Sequence, residues 1–148
     1  MNIRLLCFGR VKDRHIRTLI DEYERRLAHH NIRFTVTEWS YTDLKNQQDR
    51  IRSFLNDHPD TTAFLLDEHA QTLSTQRFAD TLEKVKGSGK EAIFILGDAH
   101  GFEKSFKEEF SDKLSLSPMT FPHEIARLLL TEQLYRIATL WNHIPYHK

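Results

Sequence analysis

The regular alternation of short apolar runs with segments of helical periodicity limits the fold of this sequence more than any other feature. Runs typical of β-strands cover residues 2–8, 32–39, 62–66, 92–96 and 113–117. Segments with the repeat of amphipathic helices cover residues 14–29, 46–57, 74–86, 102–110 and 122–141. Strands that alternate with helices need crossover connections, which place helices over a parallel sheet. We therefore predict an α/β fold with a mainly parallel sheet and helices on both faces.

The length and composition predict one cytoplasmic domain over residues 1–148. A chain of 148 residues is too short for two independent cores of ordinary size. No apolar run approaches the roughly 18 residues of a membrane helix, and the first residues lack the pattern of a signal peptide. The lone Cys7 excludes an internal disulfide and a multi-cysteine zinc site, and its place in a strand predicts a core position.

The formal charge is balanced, with 21 Lys and Arg residues against 21 Asp and Glu residues. Nucleic-acid binders usually carry a basic excess, and here it is confined to residues 1–30. Such a region is compatible with a phosphate backbone. A solvated helix face is the alternative, and charge alone favours it.

The last predicted helix is apolar in nearly every direction around its axis. Its apolar residues are Ile125, Ala126, Leu128, Leu129, Leu130, Leu134, Tyr135, Ile137, Ala138, Leu140 and Trp141. A helix on the outside of a monomer needs only one apolar stripe, so this one requires cover on a second side. We predict a homodimer through this helix, the alternative being a helix buried deep inside the protomer.

Ligands of parallel sheets bind beyond the carboxyl ends of the strands. This rule directs attention to the loops that follow Leu66, Leu96 and Leu116. The second of these loops begins with Gly97, and glycine permits close approach of the backbone to a ligand. We therefore expect a binding site where the three loops meet.

Three other candidate sites fail on spacing or context. The Gly89-Lys90 pair lacks the earlier glycine and the following hydroxyl residue of a phosphate loop, and it follows a helix. Asp67 ends a strand, but a phosphate-accepting receiver domain also needs acidic residues after its first strand. Pro145 lies between His143 and His147 and disfavours a helical metal-binding pair, so no metal is predicted.

Five segments give the chain its family resemblance: the opening strand with Gly9, EYERRL at 22–27, LLDEHAQTLSTQRFA at 65–79, ILGDAHGF at 95–102, and above all LSLSPMTFPHEIARLLLTEQLYRIATLWNHIPYHK at 114–148. With these segments the chain resembles the RlmH-type SPOUT ribosomal RNA methyltransferases over essentially its whole length. The resemblance implies transfer of a methyl group from S-adenosylmethionine to N3 of a pseudouridine in 23S ribosomal RNA. It also implies a C-terminal trefoil knot, which periodicity alone does not suggest because knots are rare.

The resemblance implies a cofactor site in the knot, held mostly by backbone groups of three loops. Carried over to this chain, the cofactor-binding residues are Leu66, Gly97, Leu116, Ser117, Pro118, Met119, Thr120 and Phe121. It further implies an obligate dimer, with the active site at the subunit interface and the partner's tail contributing to it. Because a near-neutral protein grips naked RNA weakly, we expect better activity on assembled ribosomes than on isolated RNA.

Methyl transfer from a sulfonium requires in-line alignment and removal of a proton from the accepting nitrogen. His147 and Tyr146 are the candidates for proton handling or base positioning, and Arg127 and Arg136 for holding phosphate or the base oxygens. Structural alternatives stay open. Arg127 and Arg136 can pair with Glu124 and Glu132 at helical spacing, Tyr146 can simply stack, and the tail can be disordered. His123 is expected to help set the start of the last helix.

The chain departs from the family pattern at two positions. Asp98 stands where a second glycine is usual, and Ala70 stands where the loop after the third strand commonly has glycine. The side chain of Asp98 either narrows the cofactor pocket, points to solvent, or places a favourable charge near the sulfonium. Two alternative functions follow: a catalytically impaired RNA-binding relative, and a small-molecule-binding regulatory module on the same sheet.

Overall fold

A computed structural model describes residues 1–147, and Lys148, the last residue of the predicted domain, lies outside them. The strands are β1 (Asn2–Phe8), β2 (Arg33–Trp39), β3 (Thr61–Leu66), β4 (Glu91–Leu96) and β5 (Asp112–Leu114). The helices are α1 (Arg14–Ala28), α2 (Leu44–Asp57), α3 (Thr75–Gly87), α4 (Lys104–Glu108) and α5 (His123–Trp141). Strands and helices alternate strictly, as the sequence pattern predicts.

The strands form one sheet in the order β2-β1-β4-β3-β5, and every neighbouring pair is parallel. β1, β4 and β3 lie inside the sheet. Residues 5–8 of β1 and 92–95 of β4 are apolar and buried, because both faces of these strands are covered. The predicted α/β fold with a parallel sheet is therefore confirmed. The trefoil knot stays a prediction.

The sheet has a hydrophobic core on each face, built from alternate strand residues. In β4, Phe94 packs with residues of α1, α3 and α5 on one face. Its neighbours Ile93 and Ile95 pack with residues of α2 and the aromatic side chains around α4 on the other. The prediction of helices on both faces is confirmed, and Cys7 is buried in the first core as expected.

β5 is shorter than the sequence pattern predicts and ends at Leu114 instead of residue 117. The hydroxyl of Ser115 donates to the carbonyl oxygens of Glu68 and Ser117, at 3.2 and 2.7 Å. These contacts hold the chain in a turn, and the backbone of Ser115 keeps only an isolated parallel bridge to Thr72. As a result Leu116 lies in a loop.

α5 begins directly after Pro122, as predicted from the tolerance of a helix start for proline. It packs against α1 and α3 and buries Leu130, Leu134 and Ile137 completely. Ile125, Leu128 and Leu129 remain only half-buried, so one side of the helix keeps an apolar surface in the protomer. Among residues 1–147 no helix has the length and apolarity needed to cross a membrane.

Candidate active site

Three loops meet at the carboxyl edge of the sheet and enclose a cavity of about 600 Å³, here called the strand-end pocket. The loop after β3 contributes Leu66 to His69, the loop after β4 contributes Gly97 to Phe102, and the loop after β5 contributes Leu116, Ser117, Met119, Thr120 and Phe121. Lys107 of α4 and the start of α5 complete the wall. A pocket of this size fits an organic ligand or cofactor.

Seven of the eight predicted cofactor residues line the strand-end pocket, and Pro118 is the exception. The side chain of Ser117 accepts the backbone N–H of Met119 at 2.9 Å. The tight turn that results leaves Pro118 exposed at the outer side of the loop.

Gly97 is required at its position by close packing against an aromatic ring. A Cβ atom there would lie 2.9 Å from Cε2 of Phe102, well inside van der Waals contact. The Phe102 ring is 8% exposed and packs against Phe106, with ring centroids 5.0 Å apart. Glycine thus lets this ring form an apolar wall of the pocket. Gly101, in the same loop, has a different reason for being glycine, because its φ is 68°.

Asp98 and Ala70, the two departures from the family pattern, leave the pocket open. Asp98 is in the lining, but its carboxylate is bonded to neighbouring protein groups. Its Oδ1 accepts the backbone N–H of His100 at 2.8 Å, and its Oδ2 accepts Nε2 of Gln47 at 2.8 Å. Ala70 lies in a turn in which its N–H donates to the carbonyl of Asp67 at 3.0 Å, and it has no positive φ.

Polar contacts between side chains tie the three loops together. Nζ of Lys107 donates to Oδ1 of Asp67 at 3.0 Å, which joins α4 to the loop after β3. The hydroxyl of Thr120 donates to Oε2 of Glu68 at 2.6 Å and so joins the loops after β3 and β5. The pocket is therefore held in shape by contacts between residues that are distant in sequence.

His123, the first residue of α5, also lines the pocket. Burial lowers the pKa of its imidazole, and the charge of Arg127 lowers it further, whereas Asp98 acts in the opposite direction. Its Nε2 is buried and makes no hydrogen bond within the described chain. His123 is therefore both the first residue of α5 and a pocket residue whose Nε2 is shielded from solvent without a hydrogen-bond partner.

The predicted catalytic residues Tyr146 and Arg136 meet near the far end of α5, in a group that we call the tail cluster: Tyr23, Glu132, Arg136 and Tyr146. The Tyr146 hydroxyl donates to Oε1 of Glu132 at 3.1 Å, and Nη2 of Arg136 donates to the same oxygen at 2.6 Å. Arg136 also lies 4.8 Å from the centroid of the Tyr146 ring. The tail is thus anchored to the protein, while His147 beyond it is exposed.

Arg127, which we predicted to hold phosphate or the base oxygens, is buried inside the protein instead. Its side chain is 1% exposed and donates to the carbonyl of Gly9 at 3.2 Å and to the carboxylate of Glu38. The expected partner Glu124 instead accepts the backbone N–H groups of Lys12 and Asp13. A guanidinium buried to this degree has no access to RNA phosphate, so Arg127 joins α5 to the ends of β1 and β2 as a structural group.

Comparison with known proteins shows the family to which this chain belongs. Residues 1–147 match the family model described as "Predicted SPOUT methyltransferase". The chain belongs to the SPOUT methyltransferase family. The curated protein "Ribosomal RNA large subunit methyltransferase H" of Flavobacterium psychrophilum is 36% identical, and the alignment covers 99% of both chains. The protein of the same name from Synechococcus sp. is 37% identical over 98% of this chain and 95% of its own.

Solved structures agree with this SPOUT assignment at the level of the fold. A methylase family protein from Neisseria gonorrhoeae superposes with a TM-score of 0.55 at 11% identity, over 91% of this chain and 82% of that chain. A second one, from Haemophilus influenzae, gives a TM-score of 0.53 at 10% identity, over 99% and 70%. At these identities the likeness concerns the fold alone.

In this SPOUT chain the strand-end pocket and the tail cluster lie at different points along α5. Ala126 lines the pocket, and Arg136 follows ten residues later, about 15 Å along a helix. Neither Tyr146 nor His147 is among the residues that line the pocket of their own protomer. The structure therefore brings seven of the predicted cofactor residues together and leaves Arg136, Tyr146 and His147 outside the lining of their pocket.

Sequence reasoning missed several pocket residues of this SPOUT protein. Asp67 and Glu68 follow a strand end, so the rule that ligands bind beyond strand ends would have found them. Lys107 lines the pocket, and Gln47 lies outside the lining and bonds the pocket residue Asp98. Both sit on helices whose periodicity does not indicate a site. Their roles depend on partners 40 and 51 residues away, which no local pattern indicates.

Proposed function

We propose that this protein transfers the methyl group of S-adenosylmethionine to large-subunit ribosomal RNA. The observation that carries the proposal is the convergence of three strand-end loops into one pocket. The chain that forms this pocket is 36% identical, over nearly its whole length, to a ribosomal RNA large subunit methyltransferase. Ligands of parallel sheets bind at this edge.

The residues of the strand-end pocket fit S-adenosylmethionine. Leu66, Leu116 and Phe102 give apolar walls for an adenine ring, and Gly97 allows the backbone to come close to its edge. Ser117 and Thr120 add hydroxyl groups to the same lining. When bound, S-adenosylmethionine supplies a methyl group that is already activated by its sulfonium.

The finer proposal concerns the acceptor, which we take to be N3 of a pseudouridine in 23S ribosomal RNA. The protein must hold this nitrogen in line with the methyl group and receive the proton that the nitrogen loses. His147 is exposed and carries an imidazole, the side chain most often used as a general base. Burial, and then hydrogen bonds with Tyr23 and Glu132, raise the pKa of Tyr146. Tyr146 therefore stays a neutral phenol whose hydroxyl is held by Glu132, and its ring positions the base.

We propose that the tail acts in a homodimer formed through α5. The half-buried Ile125, Leu128 and Leu129 supply an apolar surface, and Met119 in the pocket loop is 71% exposed in the protomer. The tail lies too far along α5 to serve its own pocket, whereas a two-fold axis at this surface would bring the tail of one copy towards the pocket of the other. Arg136, held by Glu132, fixes Tyr146 in place within that tail.

We further propose that the substrate is the assembled ribosome and that residues 1–148 act as one cytoplasmic domain. A chain of zero net charge gains little from counterion release on naked RNA. Shape and the assembled context must then supply the recognition. Among residues 1–147 no group of three His, Cys, Asp or Glu side chains is arranged to hold a metal ion, and the proposed chemistry uses none.

The test is methyl transfer from labelled S-adenosylmethionine to ribosomes from a strain that lacks the gene. We expect label at a pseudouridine of 23S ribosomal RNA, identified by mass spectrometry, and much less label on isolated ribosomal RNA. His147→Ala should abolish transfer, whereas the control His15→Ala, at an exposed position in α1, should not. Absence of label on every RNA substrate would refute the proposed activity, and equal rates on both substrates would refute the ribosome proposal alone.

A further inference from the structure

A buried glutamine of α2 holds the side chain of Asp98 at the wall of the strand-end pocket. Gln47 is 1% exposed, and its Nε2 donates to Oδ2 of Asp98 and to the carbonyl of Thr42, both at 2.8 Å. The other oxygen of Asp98 accepts the backbone N–H of His100 at 2.8 Å. Two neutral donors thus fix the orientation of one carboxylate without neutralising its charge, and the carbonyl of Thr42 holds the Gln47 amide in place.

The other charged groups of the pocket do not balance this carboxylate. Within residues 1–147 the lining contains three carboxylates and one ammonium group, that of Lys107. Lys107 is paired with Asp67 at 3.0 Å, and Glu68 accepts from the Thr120 hydroxyl. The pocket therefore presents a net negative charge to whatever it binds, which favours a cationic ligand.

We propose that Gln47 is a positioning residue that holds the Asp98 carboxylate beside the sulfonium of the bound methyl donor. The pocket then prefers S-adenosylmethionine to S-adenosylhomocysteine. This inference rests on the function proposed above. When the methyl group moves to the nitrogen of the base, the sulfur keeps the electron pair of the broken bond and becomes an uncharged thioether. The attraction to Asp98 disappears with the charge, so the product is released more readily than the donor.

We expect the preference for S-adenosylmethionine in this chain in particular, because it depends on Asp98. The family resemblance leads one to expect glycine at that position. A glycine would leave the pocket without this charge and Gln47 without its side-chain acceptor. One unit charge at a partly solvated pocket wall should change the ratio of the two dissociation constants by about tenfold.

The experiment is calorimetric titration of the purified full-length protein with S-adenosylmethionine and, separately, with S-adenosylhomocysteine. Asp98→Asn removes the charge and keeps the shape, and Asp98→Gly removes the whole side chain. Gln47→Met removes the amide that holds the carboxylate but retains the length of the side chain. Asp80→Asn is the matched control, because Asp80 is an exposed carboxylate on α3 that does not line the pocket.

We expect the wild type and Asp80→Asn to bind the donor about tenfold more tightly than the product. Both Asp98 variants should bind the two ligands almost equally, with product affinity unchanged, and Gln47→Met should fall between. Discrimination that persists unchanged in the Asp98 variants overturns this inference and leaves the proposed function standing. Failure of the wild type to bind either ligand overturns both.

Discussion

The packing at Gly97 gives a prediction whose magnitude follows from three distances. In Gly97→Ala the new Cβ would lie 2.9, 3.2 and 3.3 Å from Cε2, Cζ and Cδ2 of Phe102. Carbon atoms prefer separations of about 3.5–4.0 Å, so the ring must move by several tenths of an ångström. It cannot move freely, because it is 8% exposed and packed against Phe106.

Overpacking of this kind costs about 1–3 kcal/mol, and the smaller entropy of the unfolded alanine chain offsets less than about 1 kcal/mol. We therefore expect Gly97→Ala to lower the free energy of unfolding by about 1–2 kcal/mol in urea denaturation. Binding of S-adenosylmethionine should weaken as well, because the displaced ring lines the pocket. Tryptophan fluorescence and calorimetry measure the two effects.

Two further variants test whether the effect of Gly97→Ala is steric. Gly87→Ala is the same chemical change at the end of α3, where an added Cβ meets nothing within 4 Å, and it should leave stability unchanged or raise it by up to about 1 kcal/mol. The double variant Gly97→Ala, Phe102→Leu should lose less stability than the two single variants lose together. The reason is that it lacks the clash between the new Cβ and the Phe102 ring. A Gly97→Ala protein as stable as Gly87→Ala, or strictly additive losses, would refute the steric reasoning.

Three other predictions follow from buried groups. Arg127→Met should lower the free energy of unfolding by about 3 kcal/mol, because it leaves the carboxylate of Glu38 without its buried partner. Urea denaturation measures this, and a change as small as that of the exposed control Arg14→Met would contradict it. Burial raises the pKa of the Cys7 thiol to about 11, so the folded protein should resist a thiol-specific dye until urea unfolds it; rapid labelling of the native state would be contrary evidence. Because burial lowers the pKa of His123, its contribution to stability is present above the ordinary value of 6.5 and is lost as the pH falls below it. His123→Gln should reduce the loss of stability at acid pH. Plots of unfolding free energy against pH that run parallel for both proteins would refute this explanation.

The sequence determines the architecture of this protein through local patterns. Each strand and each helix has its own periodicity, and their alternation requires a parallel sheet with crossovers. The site edge follows from the same pattern, because the carboxyl ends of parallel strands converge. Leu66, Gly97 and Leu116 could therefore be placed in one pocket before any contact was known.

The remaining features depend on contacts between residues that are far apart in the chain. The bond between Arg127 and Glu38 spans 89 residues, and helical spacing predicted a different partner, Glu124. The early end of β5 depends on a bond from Ser115 to Glu68, 47 residues away. The direction of the Asp98 side chain is decided by Gln47, which belongs to a helix with no other sign of a functional role.

The role of the tail is another feature that local sequence patterns do not determine. The family resemblance implies that the tail of the partner contributes to the active site, and neither Tyr146 nor His147 lines the pocket of its own protomer. Under the function proposed above, a single chain supplies the pocket for the cofactor and needs the tail of a second copy for catalysis. The half-buried apolar side of α5 is the surface on which a second copy is expected to complete the catalytic site.

The most direct test of this account is a crystal structure of the protein with S-adenosylmethionine. The account predicts density for the ligand between the loops that follow β3, β4 and β5, with its sulfur beside Asp98 and a second copy packed against α5. Density for the ligand at any other place, or a ligand-bound protein whose α5 faces solvent, would contradict it.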